Sequence, residues 1–439
     1  MPSLTPAPAH PFTHEQLAAI DEFTPYSTDR ALAAASTLRS RGFSPEDSSA
    51  ILTQAKLRTQ GADKFGDKAH SMLLTEAGYE QATRAAVAKG HAQRFKDAGI
   101  TSVADLGCGI GADSLAFTAA GLAITAVELD PATAAFTAHN LAHYPNSQVL
   151  VGNVENINVQ TLTTANGQAI QALWLDPARR EVEGGATTSR LFDPEAFSPP
   201  LSLIEKLAAT GMPMGVKMGP GLPHEHIPAN CEAEWVSHGG SVVEVVLWFN
   251  ALARKRVRRA ASLLSKNPQE PELLEDITSA LDSPESTGTH QYEPTIGELA
   301  TYLAEPDGAV VRSHLVSDLA HKLGAHLIDE RIAYLTTDTL EPTALAQYFE
   351  VRQILPLHEK ALKRWVKENG ITALTVKKRG VDIVPEQLRA KLLAGAKKKK
   401  GQARKEATLI LTRLGQGLDS QRLAIWAEPV QVPLTKGGR

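Results

Sequence analysis

Only two cysteines, Cys108 and Cys231, occur in 439 residues. That is too few for a disulfide framework or a four-ligand zinc site. No apolar run reaches the roughly 18 residues that a membrane span needs. The opening MPSLTPAPAHPFTHEQ has neither a basic nor an apolar signal region, so a secretory leader is not expected. No internal repeat is visible. What is present is an ordinary globular balance, 43% hydrophobic and 21% charged, which excludes disorder of the whole chain. At about 100–200 residues per domain the length allows two or three domains. These features predict a cytoplasmic protein with no metal and no membrane attachment.

The chain also lacks a strong net charge, but its small value of −4 hides an asymmetry. Residues 351–405 hold 16 Lys and Arg against 4 acids (Glu359, Glu368, Asp382, Glu386), a local net of +12 that leaves −16 elsewhere. A basic region on an acidic body predicts a polyanionic partner, nucleic acid above all. The competing reading is a solvated Lys-rich surface, and Lys397–Lys400 reads most simply as a flexible basic loop.

Residues 14–98 carry helical spacing, broken at Gly42 and ended at Gly99, with Ser44-Pro45-Glu46-Asp47 as a capping box. From Ile100, short apolar runs alternate with helical stretches, which implies βαβ units and a mainly parallel, doubly wound sheet. EAEWVSHGG and SVVEVVLWF, joined by Gly239-Gly240, close the block as an antiparallel hairpin. The expected domains are a helical subdomain over 1–98, an α/β domain over 99–250, a linker with some helix over 251–290, and an α+β domain over 291–439. In the last, IGELATYLAE and RSHLVSDLAHKLG read as helices, ITALTVKKR and EATLILTRL as strands.

The most informative stretch is VADLGCGIG, residues 103–111: an apolar strand, then Gly107, Gly109 and Gly111, then a helix. Glycines there let the backbone turn tightly and approach a ligand, and the following helix offers unpaired N–H groups. Alone the loop also satisfies a dinucleotide pattern through Gly107, Gly109 and Ala112. The surroundings sharpen it. Asp105 precedes the first glycine, where a carboxylate can reach a positively charged ligand. Glu128 ends the next strand, placed to accept from two ribose hydroxyls. Asn153 follows the third strand and Asp176 the fourth. All four stand at carboxyl ends of consecutive strands, where open α/β sheets bind ligands.

This arrangement over about residues 75–250 resembles the class I S-adenosylmethionine-dependent methyltransferases, with a Rossmann-like sheet and terminal hairpin. The resemblance implies S-adenosylmethionine as cofactor, bound by Asp105, Gly107, Gly109, Gly111, Glu128 and Asn153. Asn153 is a departure, since many members have Asp there; its amide oxygen can still accept from the adenine amine. Amino-group methyltransferases of this class carry Asp/Asn/Ser-Pro-Pro-aromatic after the fourth strand. There the first side chain and the first proline's carbonyl orient the target amine. Here the string is Asp176-Pro177-Ala178-Arg179, which implies catalytic roles for Asp176 and Pro177. Arg179 either stacks on a base or binds phosphate, or pairs with Asp193 or Glu195.

DPARR, with GYEQAT at 78–83 and VKMGPG at 216–221, resembles a bacterial methyltransferase group with a THUMP-like C-terminal domain, similar to the trimethylguanosine-synthase-like RNA methyltransferases. The resemblance implies RNA, tRNA or rRNA, as partner. The expected substrate-binding residues are Arg179, Lys217, Lys377, Lys378 and Arg379. The expected acceptor is an exocyclic amine, guanine N2 or adenine N6. Alternatives are a small-molecule or protein methyltransferase with a merely basic surface, a catalytically silent RNA-binding protein, and a dinucleotide oxidoreductase. His224 and His226 lack a third metal ligand nearby, and Cys108 reads as packing.

Overall fold

The computed structural model describes residues 4–179, 193–265, 273–280, 295–394, 405–417 and 420–434. The chain divides into two compact units. Residues 1–239, 243–255 and 264–273 form the first, and 240–242, 256–263 and 274–439 the second.

The first unit is built on β1 (Ser102–Leu106), β2 (Ala123–Glu128), β3 (Ser147–Val151), β4 (Ala172–Leu175), β5 (Met214–Met218), β6 (Cys231–His238) and β7 (Ser241–Phe249). Their order is β3-β2-β1-β4-β5-β7-β6. β1 to β5 pair in parallel, and β7 runs antiparallel to β5. The expected doubly wound sheet with its terminal hairpin is therefore present. β1 and β4 are buried along their whole length, as strands covered on both faces must be. Phe95, Phe117, Trp174 and Trp248 pack edge-on in its core, each such side chain contributing about 1.5–3 kcal/mol by burial. Gly215 on β5 is required there: a Cβ would stand 2.7 Å from the Trp248 ring and 2.8 Å from the Trp174 ring.

The N-terminal helices form as expected but do not stand apart, so the boundary expected at 98 is not a unit boundary. Polar groups stitch them to the sheet. Asn140, on the helix Pro131–Leu141, accepts from Leu73 N and donates to the carbonyls of Leu73 and Ile110. Gln54 makes two hydrogen bonds to the backbone of Leu74. Ser44 caps the helix Pro45–Phe65, accepting from Asp47 N at 3.0 Å. The reciprocal capping box lies at Thr13 and Gln16 instead.

In the second unit, two expectations are corrected. The segment read as a linker contains strands β8 (Val257–Leu264) and β9 (Leu273–Ala280), which are neighbours in a sheet. IGELATYLAE is not a helix: β10 (Tyr302–Pro306) pairs antiparallel on both sides, with β12 (Ile332–Thr337) and β13 (Ala346–Pro356). Tertiary pairing there overrides local helix propensity. With β11 (His326–Asp329), β14 (Ala373–Lys378), β15 (Glu406–Leu414) and β16 (Gln421–Val430), these form a seven-stranded sheet, order β11-β12-β10-β13-β16-β15-β14. β14 and β15 run parallel, linked through the helix Pro385–Leu393. Both faces are buried: Leu409 and Leu411 pack under Leu362 and Trp365, and Ile410 faces Tyr334 and Phe349. Lys397–Lys400 lies outside the described residues.

Candidate active site

The carboxyl ends of β1 to β4 converge as expected. Gly107, Gly109 and Gly111 have φ of 88°, 53° and 81°. That left-handed region disfavours residues with a Cβ. Gly111 is tightest, because a Cβ would lie 2.8 Å from the Thr137 methyl. A Cβ on Gly109 would meet nothing within 4 Å, so this part of the loop borders open space. The Thr137 hydroxyl donates to the Gly109 carbonyl and pins the loop from the helix Pro131–Leu141.

Glu128 is held by the backbone. One oxygen accepts from Gly109 N at 2.9 Å, the other from Leu129 N at 2.8 Å and Asp130 N at 3.0 Å. The oxygen that accepts from Gly109 N alone still has a lone pair for a ligand hydroxyl. Leu129 beside it is 61% exposed, an apolar surface the sequence reading missed. Asn153 uses its side-chain oxygen to accept from Glu155 N at 2.9 Å, capping a short turn. Asp105 is buried and accepts from Ser114 Oγ at 2.5 Å. Burial, with the charge of Asp113, raises its pKa to about 8.

Asp176 follows β4 and is half-buried, with 33% of its side chain exposed. Its Oδ2 is paired with the Lys217 ammonium, which is only 12% exposed. The same ammonium donates to Thr83 Oγ1 at 3.0 Å, and Thr83 donates to Asp113 Oδ2 at 2.6 Å. Asp113 Oδ1 meets His91 Nδ1 at 2.8 Å, and His91 Nε2 meets Glu244 Oε1 at 2.6 Å. A continuous buried chain thus runs Asp176–Lys217–Thr83–Asp113–His91–Glu244. The three strings GYEQAT, DPARR and VKMGPG meet in it, through Thr83, Asp176 and Lys217.

Burial opposes both cations, but their carboxylate neighbours win: His91 is pushed up to about 10, and Lys217 lies above the usual lysine range. Burial also pushes Asp176 up, a shift that Lys217 restrains, while His91 outweighs burial at Asp113 and holds it down. His91, Asp113, Thr83 and Glu244 were not singled out from sequence. Asp113 lies two residues past the last glycine, and the others carry no local signal.

Several of the expected substrate ligands have partners within the chain. Lys217 does not present a free ammonium to a substrate; it is engaged by Asp176 and Thr83. In the second unit Lys377 pairs with Glu305 and lies 5.2 Å over the Phe349 ring. Arg379 donates to the Ala333 carbonyl at 2.5 Å and stacks 5.0 Å over Tyr334. Both are taken up by partners within this unit, and of that trio Lys378 is the exposed one. Arg179 has its backbone paired with Phe197, and its side chain lies outside what is described.

Residues 346–429 match the family described as THUMP domain-like, and residues 13–61 match a domain of unknown function. Two Mycobacterium tuberculosis proteins, from strains CDC 1551 / Oshkosh and ATCC 25618 / H37Rv, are each named an uncharacterized S-adenosylmethionine-dependent methyltransferase. Both are 28% identical over 383 residues, 85% of this chain and 95% of theirs. A Porphyromonas gingivalis W83 crystal structure, provisionally assigned as a methyltransferase, superposes with a TM-score of 0.67 at 19% identity. The match covers 96% of this chain and 100% of that one, and establishes the fold. No helix among the described residues is long and apolar enough to cross a membrane, and no group of three or more His, Cys, Asp or Glu side chains among them is arranged to hold a metal ion.

Proposed function

We propose that this chain, an S-adenosylmethionine-dependent methyltransferase with a THUMP-like C-terminal domain, methylates RNA in the cytoplasm, tRNA or rRNA, at an exocyclic base amine, guanine N2 or adenine N6. The observation that carries this reading is Asp176. Its carboxylate stands at the end of β4 with Oδ2 fixed by Lys217, and among the described residues no partner takes Oδ1.

The residues of the loop fit the cofactor, which when bound supplies an electrophilic methyl group on a sulfonium. Glu128 would accept from a ribose hydroxyl through its less occupied oxygen, and the exposed Leu129 would offer apolar surface to the adenine. Asn153 is committed to its own turn, so any role at the adenine edge uses its remaining acceptor capacity. Gly107 and Gly109 leave space where a Cβ would intrude, and the buried Asp105 would act on the cationic donor through its charge. Asp176 Oδ1 and the Pro177 carbonyl accept hydrogen bonds from the target amine and aim its lone pair, so orientation lowers the barrier without metal or covalent intermediate. The amine becomes cationic as it attacks, and the fixed carboxylate stabilises that charge and takes the proton at Oδ1.

RNA is supported by the THUMP domain-like match and by one helix in that unit. Glu359–Glu368 buries Leu362, Trp365 and Val366 and leaves Lys360, Lys363, Arg364 and Lys367 exposed. These are better phosphate ligands than Lys377 and Arg379, because their charges are solvated. The test is single-turnover transfer of labelled methyl from S-adenosylmethionine to total RNA of a strain lacking this protein, then nucleoside mass spectrometry. Asp176→Ala should slow transfer on the order of 10²-fold while cofactor binding persists; Asp176→Asn should lose less. Label found only in protein or small molecules would replace RNA as the substrate. Transfer by Asp176→Ala at the wild-type rate would remove the amine-directed mechanism.

A further inference from the structure

A lysine only donates, and a threonine hydroxyl has one proton to give. Thr83 must therefore accept from Lys217 and donate to Asp113, so the chain between them has one direction. Asp113 is fixed in turn by His91, whose ring lies between Asp113 and Glu244 and packs 4.4 Å from the Trp174 ring on β4. Lys64 ties down the stretch before Thr83 by donating to the carbonyls of Tyr79 and Glu80, at 2.6 and 2.8 Å. Gly78 in that stretch packs on the glycine loop, where a Cβ would stand 2.4 Å from Ile110. The ammonium of Lys217 thus has both its place and its charge set by groups from four separate segments.

We propose that Lys217, held by the Thr83–Asp113–His91–Glu244 chain, is a positioning residue for methyl transfer: it grips Asp176 Oδ2, keeps that carboxylate ionised, and leaves Oδ1 as the acceptor for the attacking amine. The inference rests on the role given to Asp176 above. The charges suit it. With His91 and Lys217 cationic, and Asp113, Glu244 and Asp176 anionic, the chain carries one net negative charge beside a cationic methyl donor. The other charged groups acting on Asp176 and Lys217 are Asp105 and Lys64, the latter with Arg84 beside it.

Lys217→Met, Thr83→Val and Thr83→Ser are compared in single-turnover transfer to the RNA described above, from pH 5.5 to 9. Loss of the cation raises the Asp176 pKa, so the low-pH fall in kcat should move upward by about one unit, which is tenfold below that limb. KM should change little, and Thr83→Ser should recover most of what Thr83→Val loses. Two readouts need no turnover. S-adenosylhomocysteine affinity by calorimetry should be retained, and Lys217→Met/Asp176→Asn should be more stable to urea than Lys217→Met, because the double variant no longer buries an unpaired carboxylate. Wild-type kcat and pH limb in Lys217→Met and Thr83→Val, with Asp176→Ala inactive, would overturn this inference and leave the Asp176 reading standing. Strictly additive stability losses would also overturn it. Full activity in Asp176→Ala would remove both.

Discussion

His91 sits between two carboxylates, 2.8 Å from Asp113 and 2.6 Å from Glu244, and is 3% exposed. Replacing it with Gln removes the cation and leaves two buried carboxylates to share an amide. Its folded pKa near 10 against an ordinary 6.5 corresponds to about 5 kcal/mol at about 1.36 kcal/mol per unit. Breaking one side of a buried pair costs about 3–5 kcal/mol. Both routes put the loss in His91→Gln at several kcal/mol near pH 6. The sign follows from the raised pKa. The stabilisation is complete below pH 6.5 and disappears as pH climbs through about 10, so the gap to wild type should be widest near pH 6 and narrow toward pH 10. Urea titrations measure it by tryptophan fluorescence, with Trp365 and Trp426 replaced by Phe so that the signal comes from the first unit, where Trp174 and Trp248 pack on the ring. A loss below about 1 kcal/mol at pH 6, or a gap of equal size at pH 6 and 10, would show that His91 is not the charged centre of this chain.

Glu128→Ala should weaken S-adenosylmethionine binding by about 1.5–3 kcal/mol for each hydrogen bond lost to a charged group, and Glu128→Gln by less, since one oxygen remains to accept. Unchanged affinity in a folded Glu128→Ala would place the ribose elsewhere. Asp105, held near 8 by burial and by Asp113, ionises more readily beside a cationic ligand. Affinity should therefore rise from pH 7 to 9 and binding should release a proton, seen as heats that depend on the buffer; equal proton release by Asp105→Asn would refute this.

The sheet was legible because its signals are local. A strand of continuous apolar residues, a glycine loop and a helix recur within about 30 residues in βαβ units, and Gly239-Gly240 marks the hairpin where the structure has it. Helices in the N-terminal part were legible for the same reason. β10 was not, since Tyr302–Pro306 owes its extended form to two partner strands, both of them more than 25 positions away. The segment expected to be a linker failed likewise. VRRAASLL and LLEDITSA look polar and helix-tolerant alone, and become strands only through pairing.

The site divides along the same line. Asp105, Glu128 and Asp176 could be placed because each ends a strand, and strand ends are readable. Lys217 could be placed at the end of β5 but not given its partner, so a charge expected to reach outward proves to be bound inward. Thr83, His91 and Glu244 lie on a loop, a helix and the hairpin strand β7, and Thr83 and Lys217 are 134 positions apart. Nothing in their own neighbourhoods marks them. A lysine in a sequence advertises a positive charge, but whether it meets a phosphate or a carboxylate depends on which distant segments fold against it. Here a half-buried carboxylate lies within reach and outcompetes solvent. The same reasoning applies to Lys377 and Arg379, which are taken up by Glu305 and the Ala333 carbonyl, whereas Lys360, Lys363, Arg364 and Lys367 on Glu359–Glu368 stay solvated.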